Sequence, residues 1–237
     1  MSPRDKGSWT VGFPIYDGCT LLDFAGATQV FSPWVAAGFQ SVWLAPSRDP
    51  VRTTEGVEVL PGRCFDDPGP IDVLFVPGGG EDVGKVMQDP RYVGFVRQAG
   101  QAARFAGSVC TGVFIVAAAG LLDDCEATTY WSQRENLALF PRIKVAAGYP
   151  RWVFSGNRFT GGGVSSSIDL ALELVDRLAG PTECQQAQLS AQYAPKPPFD
   201  SGDPATAPPE VTAANLANQQ QFVAAIRKAT LQVIGAA

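Results

Sequence analysis

The chain has 237 residues, 46% hydrophobic and 17% charged, with a formal net charge of −5 and no histidine. That length accommodates one large α/β domain or two small ones, and the acidic balance gives no electrostatic reason to bind nucleic acid or an anionic membrane. The absence of imidazole excludes a Cys-His pair and leaves a zinc site without its usual ligands.

Trp9–Tyr16 reads as a strand ending at the turn Asp17-Gly18, and Leu21–Ala36 has helix-like apolar spacing interrupted at Pro33. Ser41–Ala45 is a second strand, and Val51–Leu60 resembles a hairpin around Glu55-Gly56. Ile71–Val76 is a buried strand running into Pro77-Gly78-Gly79-Gly80. Pro90–Ala103 is amphipathic and helical, Ala106–Val109 a short strand, and Thr111–Leu122 a buried helix of small residues. Thr128–Trp131 opens another element. Strands are expected at Ile143–Ala146, Trp152–Phe154 and Phe159–Thr160, the last two paired across Gly156-Asn157. Gly161-Gly162-Gly163 then precedes a helix over Ser165–Leu178.

Apolar strands alternating with helices imply a mainly parallel sheet covered on both faces, with ligands at the carboxyl edge. One domain is expected over residues 1–193. Residues 194–237 form an irregular Pro-rich arm and a helical stretch from Val211 to Ile234, docked on the same domain or on a dimer partner. Met1–Thr10 lacks the apolar stretch of a signal peptide, and no window suits a transmembrane helix. Cys19, Cys64, Cys110, Cys125 and Cys184 are dispersed without C-x-x-C spacing, which suits reduced thiols in the cytoplasm.

Gly107-Ser108-Val109-Cys110-Thr111-Gly112 has the shape of a nucleophile elbow. Cys110 is expected at a helix N-terminus, where the dipole favours the thiolate. Its proton-transfer partner must be a carboxylate, a tyrosine, a lysine or a water. Asp23 is either a helix cap or an acid whose pKa rises between Leu22 and Phe24. The Pro77–Gly80 turn lacks a phosphate-loop signature and reads better as backbone N–H groups exposed to an anion or oxyanion. Gly161–Gly163 lets backbone pass close to the elbow. Tyr130, Trp131 and Phe199 suit the core, or an aromatic pocket for an uncharged substrate.

The ordered stretches LLDFAGA, IDVLFVPGGG, GSVCTG, AAAGLLDDCEATTYW, RFTGGGVSSSIDLAL and YAPKPPF resemble the ThiJ/PfpI superfamily over nearly the whole chain. Within it they resemble the isocyanide hydratase branch. The resemblance implies a flavodoxin-like α/β sandwich, a homodimer and no cofactor or metal. It implies Cys110 as nucleophile, Asp23 as acid and base, and Thr111 as hydrogen-bond donor. Gly79 and Gly80 match the backbone turn facing the nucleophile, and Tyr130, Trp131 and Gly162 are substrate-side candidates. The implied reaction is a lyase one, hydration of an isocyanide to an N-substituted formamide through a cysteine thioimidate. Many relatives carry His where this chain has Tyr130. Alternatives are a 2-oxoaldehyde enzyme of glyoxalase or deglycase type and a cysteine redox sensor. The ligand-sensing half of a transcription regulator ranks lower.

Overall fold

A computed structural model describes residues 8–236; the signal-peptide reading over Met1–Gly7 lies outside them. The first half contains β1 (Trp9–Pro14), α1 (Leu21–Val30), β2 (Phe39–Ala45), β3 (Val51–Arg52), β4 (Glu58–Val59), β5 (Arg63–Cys64), β6 (Val73–Val76), α2 (Val83–Val86), α3 (Pro90–Ala102), β7 (Phe105–Ser108) and α4 (Gly112–Ala118). Next come β8 (Glu126–Ala127), a 3₁₀ turn (Trp131–Gln133), α5 (Arg134–Leu137), β9 (Lys144–Val145), β10 (Trp152–Ser155) and β11 (Arg158–Gly161). The helices α6 (Ser166–Ala179), α7 (Pro181–Ser190), α8 (Pro209–Asn218) and α9 (Gln220–Gly235) complete the order.

Seven strands form the main sheet in the order β10-β11-β7-β6-β1-β2-β5. Every neighbouring pair is parallel except the β10–β11 hairpin at one edge. The fold is therefore the mainly parallel, flavodoxin-like sheet with surrounding helices. All four residues of β6 are fully buried, as a central parallel strand covered on both faces requires. Aromatic rings continue the core across strands, with Phe75 5.3 Å from both Phe13 and Phe159 between ring centroids. The chain runs from β1 outward to β2, then returns to the other side of β1 as β6. This reversal makes a topological switch point between β1 and β6, and open α/β sheets bind ligands beyond the carboxyl ends of the strands at such points.

Several elements differ from their sequence pattern. The first helix stops at Val30, ahead of Pro33. The helix after the elbow stops at Ala118, and Gly120 follows with a φ of +71° that continues no right-handed helix. The strand at Ile143–Ala146 shortens to β9 and pairs with β8 in a separate ribbon. No pattern announced α7, because Ala187 alone is buried among its residues. The periodic stretch from Val211 is two helices that meet at Gln219. Residues Ile226, Ala229 and Thr230 of α9 are buried on the chain's own body, where the Ala229 methyl sits against the backbone of Gly84 in α2. Phe199, expected in core or pocket, is 79% exposed on the irregular arm. Among the described residues no helix is long and apolar enough to cross a membrane.

Candidate active site

Four adjacent strands of the sheet deliver this site from their carboxyl ends. Asp23 follows β1, Gly78 and Gly79 follow β6, Cys110 and Thr111 follow β7, and Gly161 ends β11.

Cys110 occupies the left-handed backbone region with a φ of +56°, a conformation that costs a non-glycine residue about 1–2 kcal/mol. Its neighbours enforce it. The Cys110 N–H donates to the Gly161 carbonyl at 3.2 Å, and its carbonyl accepts from the Thr129 hydroxyl at 3.0 Å. Strain that is held from both sides in this way is characteristic of functional positions. Gly112 lets the helix start directly against the end of β6, since a Cβ there would lie 2.6 Å from the Val76 carbonyl oxygen.

Asp23 is fully buried in the first turn of α1. It does not cap that helix; Glu55, from the turn between β3 and β4, accepts from the Leu21 N–H at 3.0 Å and serves that role. Asp23 instead accepts from the Gly78 N–H through Oδ2 at 2.7 Å, while its buried Oδ1 has no hydrogen-bond partner among the described residues. Burial is the main force on its acidity and lifts the pKa from 3.8 to about 8; the Gly78 bond opposes the rise, and the Glu55 charge adds to it.

Burial also raises the Cys110 thiol well above its ordinary range. Asp23 adds to the rise, and the N–H and hydroxyl of Thr111 oppose it. Cys110 is only 5% exposed, and this loss of hydration opposes the pull of the α4 dipole towards the thiolate. The site is a pair of buried acids, each pushed upward by burial.

The glycine turn also departs from its expected arrangement. Its N–H groups are engaged within the protein: Gly78 to Asp23, Gly79 to the Thr111 hydroxyl at 2.9 Å, and Gly80 to the Gly18 carbonyl at 3.3 Å. The Thr111 hydroxyl returns its own proton to the Gly79 carbonyl at 2.8 Å. Joining three strand ends uses the donors that an anion nest would present. Gly80 lies apart from the acid pair, with the Thr54 methyl the nearest group its missing side chain would meet.

Tyr130 is half-buried with its ring beside Gly163, and its ring centroid lies 6.1 Å from that of Trp131. The Gly162 N–H donates to the Arg151 carbonyl at 2.9 Å. Gly78 was read only as part of the glycine turn, and the Gly161 carbonyl that holds the Cys110 N–H agrees with the reading that this glycine run passes close to the elbow. Sequence reasoning gave Thr129 and Glu55 no part in the site, because they act through contacts far away in sequence. Among the described residues no group of three or more Cys, Asp or Glu is placed to hold a metal ion.

Residues 10–177 match the DJ-1/PfpI family. The chain is 39% identical over 201 residues to an isonitrile hydratase of Pseudomonas putida, covering 85% of this chain and 86% of that protein. A crystal structure of a ThiJ/PfpI family protein from Pseudomonas syringae superposes with a TM-score of 0.88 at 32% identity, covering 97% of each chain. The transcriptional regulator GbdR of Pseudomonas aeruginosa is 27% identical over 76% of this chain and 49% of its own length.

Proposed function

Because this chain belongs to the DJ-1/PfpI family, we propose that it hydrates isocyanides, also called isonitriles, to N-substituted formamides, with Cys110 as nucleophile and Asp23 as acid and base. The observation that carries the reading is the Asp23 carboxyl: fully buried, held through one oxygen by Gly78, and unpaired at the other. Such a group is neutral at rest and has a pKa near working pH, as proton transfer requires. The likeness to an isonitrile hydratase points the same way.

The Cys110 sulfur attacks the terminal carbon of R–N≡C. The thiol proton, relayed by Asp23, goes to that carbon and gives the thioimidate R–N=CH–S–Cys110. Water then adds its oxygen to the same carbon and a proton to nitrogen, with Asp23 moving the proton. The C–S bond breaks as the C=O bond forms, which releases R–NH–CHO and returns the proton to sulfur. Every proton comes from thiol or water, so no cofactor or metal is needed. The small exposure of Cys110 suits a slender linear group better than a branched carbonyl.

Formamide production from an aryl isocyanide, followed by absorbance and identified by mass, tests the reading. Conversion of methylglyoxal to lactate without formamide production would replace it. Gly78→Ala is expected to lower kcat/KM about 10²-fold, because its Cβ would sit 2.8 Å from Asp23 Oδ2 and 2.7 Å from Thr111 N. Unchanged kinetics would remove Gly78 from the site.

A homodimer in the cytoplasm completes the reading. All five cysteines are unpaired, which suits a reducing compartment. An apolar groove between α1 and α6, lined by Leu22, Ala25, Ile168 and Tyr193, is the surface assigned to the second copy. Light scattering is expected to give twice the chain mass, with Leu22→Asp shifting the protein to monomer; a monomeric wild type at micromolar concentration would remove the dimer.

A further inference from the structure

Gln219 stands at the junction of α8 and α9, 89 residues beyond Tyr130 in sequence. Its side-chain amide nevertheless spans the segment that follows the nucleophile's own support. The amide nitrogen donates to the Tyr130 hydroxyl at 2.8 Å, and the amide oxygen accepts from the Ser132 hydroxyl at 2.7 Å. The remaining amide proton goes to Asn215 Oδ1, which fixes the orientation of the group. One amide therefore grips the residues on either side of Trp131. The grip is reinforced where Asn136 donates to the Gln133 side chain at 2.7 Å and to the Val223 carbonyl at 2.9 Å. On the other side, Thr129 holds the Cys110 carbonyl. Tyr130 thus lies between a residue tied to the nucleophile and a residue tied to the C-terminal helices.

We propose that Gln219 is a positioning residue that sets substrate range: by holding the Tyr130 hydroxyl from behind, it fixes the ring beside Gly163 and so the width of the approach to Cys110. This rests on the hydratase reading for the identity of the substrate. A hydroxyl that accepts from Gln219 keeps its own proton to donate, so the contact also determines which way Tyr130 offers that proton. Gln219 touches none of the reacting atoms. Its loss should therefore alter binding of the organic group more than the chemical step.

The test is steady-state kinetics with a small and a bulky probe, methyl isocyanide and a para-substituted phenyl isocyanide, on wild type, Gln219→Leu, Gln219→Glu, Tyr130→Phe and the Leu/Phe double variant. Gln219→Leu is expected to change KM for the phenyl probe about tenfold, the size of one lost hydrogen bond, with a much smaller change in kcat and in either constant for methyl isocyanide. Gln219→Glu, which can accept from both hydroxyls, is expected to recover most of the difference. The double variant is expected to equal the stronger single variant, because both act through one contact. Equal effects on both probes, additive effects, or unchanged constants would overturn the proposal. The ratio of Cys110 alkylation rates by N-ethylmaleimide and iodoacetamide, read by mass, provides an arm independent of turnover. If wild type hydrates neither probe, the hydratase reading fails. The alkylation ratio then decides for Gln219: a shift shared by Gln219→Leu and Tyr130→Phe sustains it, and an unchanged ratio overturns it.

Discussion

Replacing Cys110 by alanine is expected to reduce isocyanide turnover by about 10⁴-fold or more, to the rate of the uncatalysed reaction, because no second nucleophile can occupy its place. The left-handed backbone presents one side chain beside Thr111 and the Asp23 carboxyl, and alanine at that φ of +56° presents only a methyl. Alanine bears the same backbone strain as cysteine, so the fold should persist and Tm should change little. That separates loss of chemistry from loss of structure. Acid-quenched wild type in the presence of substrate is expected to carry an adduct of the isocyanide's full mass on the Cys110 peptide. Turnover within tenfold of wild type in Cys110→Ala would falsify the covalent route.

Asp23→Asn is expected to lower kcat/KM by at least about 10²-fold, the usual effect of losing an acid–base group, while making the protein more stable. Asp23 ionises near 3.8 when exposed and near 8 in the folded chain. Between those values the folded state binds the proton that the unfolded state releases. The stability that Asp23 contributes is therefore present in full below about pH 3.8 and is lost as pH rises towards 8. Asparagine cannot ionise and can still accept from the Gly78 N–H. The stability gap between variant and wild type should open above pH 4 and level off above pH 8, at about 5 kcal/mol. That corresponds to a rise in Tm of roughly 10 °C or more for a domain of this size. Thermal melts of both proteins across that range measure it. A gap that does not vary with pH would mean that Asp23 is ionised in the folded state and cannot serve as the resting acid.

Both predictions concern residues that were legible in the sequence, for a local reason. An elbow is written within six consecutive residues, and Asp23 stands out as an acid inside an apolar run after the first strand. The central strands were legible for a similar reason, since Val-Leu-Phe-Val carries no polar residue to face solvent. The force opposing the dipole at Cys110 was not legible. Dipole and spacing favour a thiolate, and the loss of hydration that works against them depends on how completely the fold buries the side chain. The engagement of the glycine-turn amides was equally hidden, because their partners Asp23, Thr111 and Gly18 lie 55, 32 and 62 residues away. The hairpin at Glu55 was visible, yet only its docking on the Leu21 N–H makes it the cap of the helix that carries Asp23.

Most proteins take up protons near neutrality through histidine, whose titration obscures that of any catalytic acid. Here that background is absent, and Asp23 is fully buried, with one oxygen tied to Gly78 and the other without a partner among the described residues. The protein thereby carries its own infrared probe. The carbonyl stretch of a protonated carboxyl is separate from the bands of ionised carboxylates, and a difference spectrum against Asp23→Asn isolates it. A substrate that engages Oδ1 should shift that band before any bond is made or broken, so binding can be followed at the acid itself in unlabelled protein.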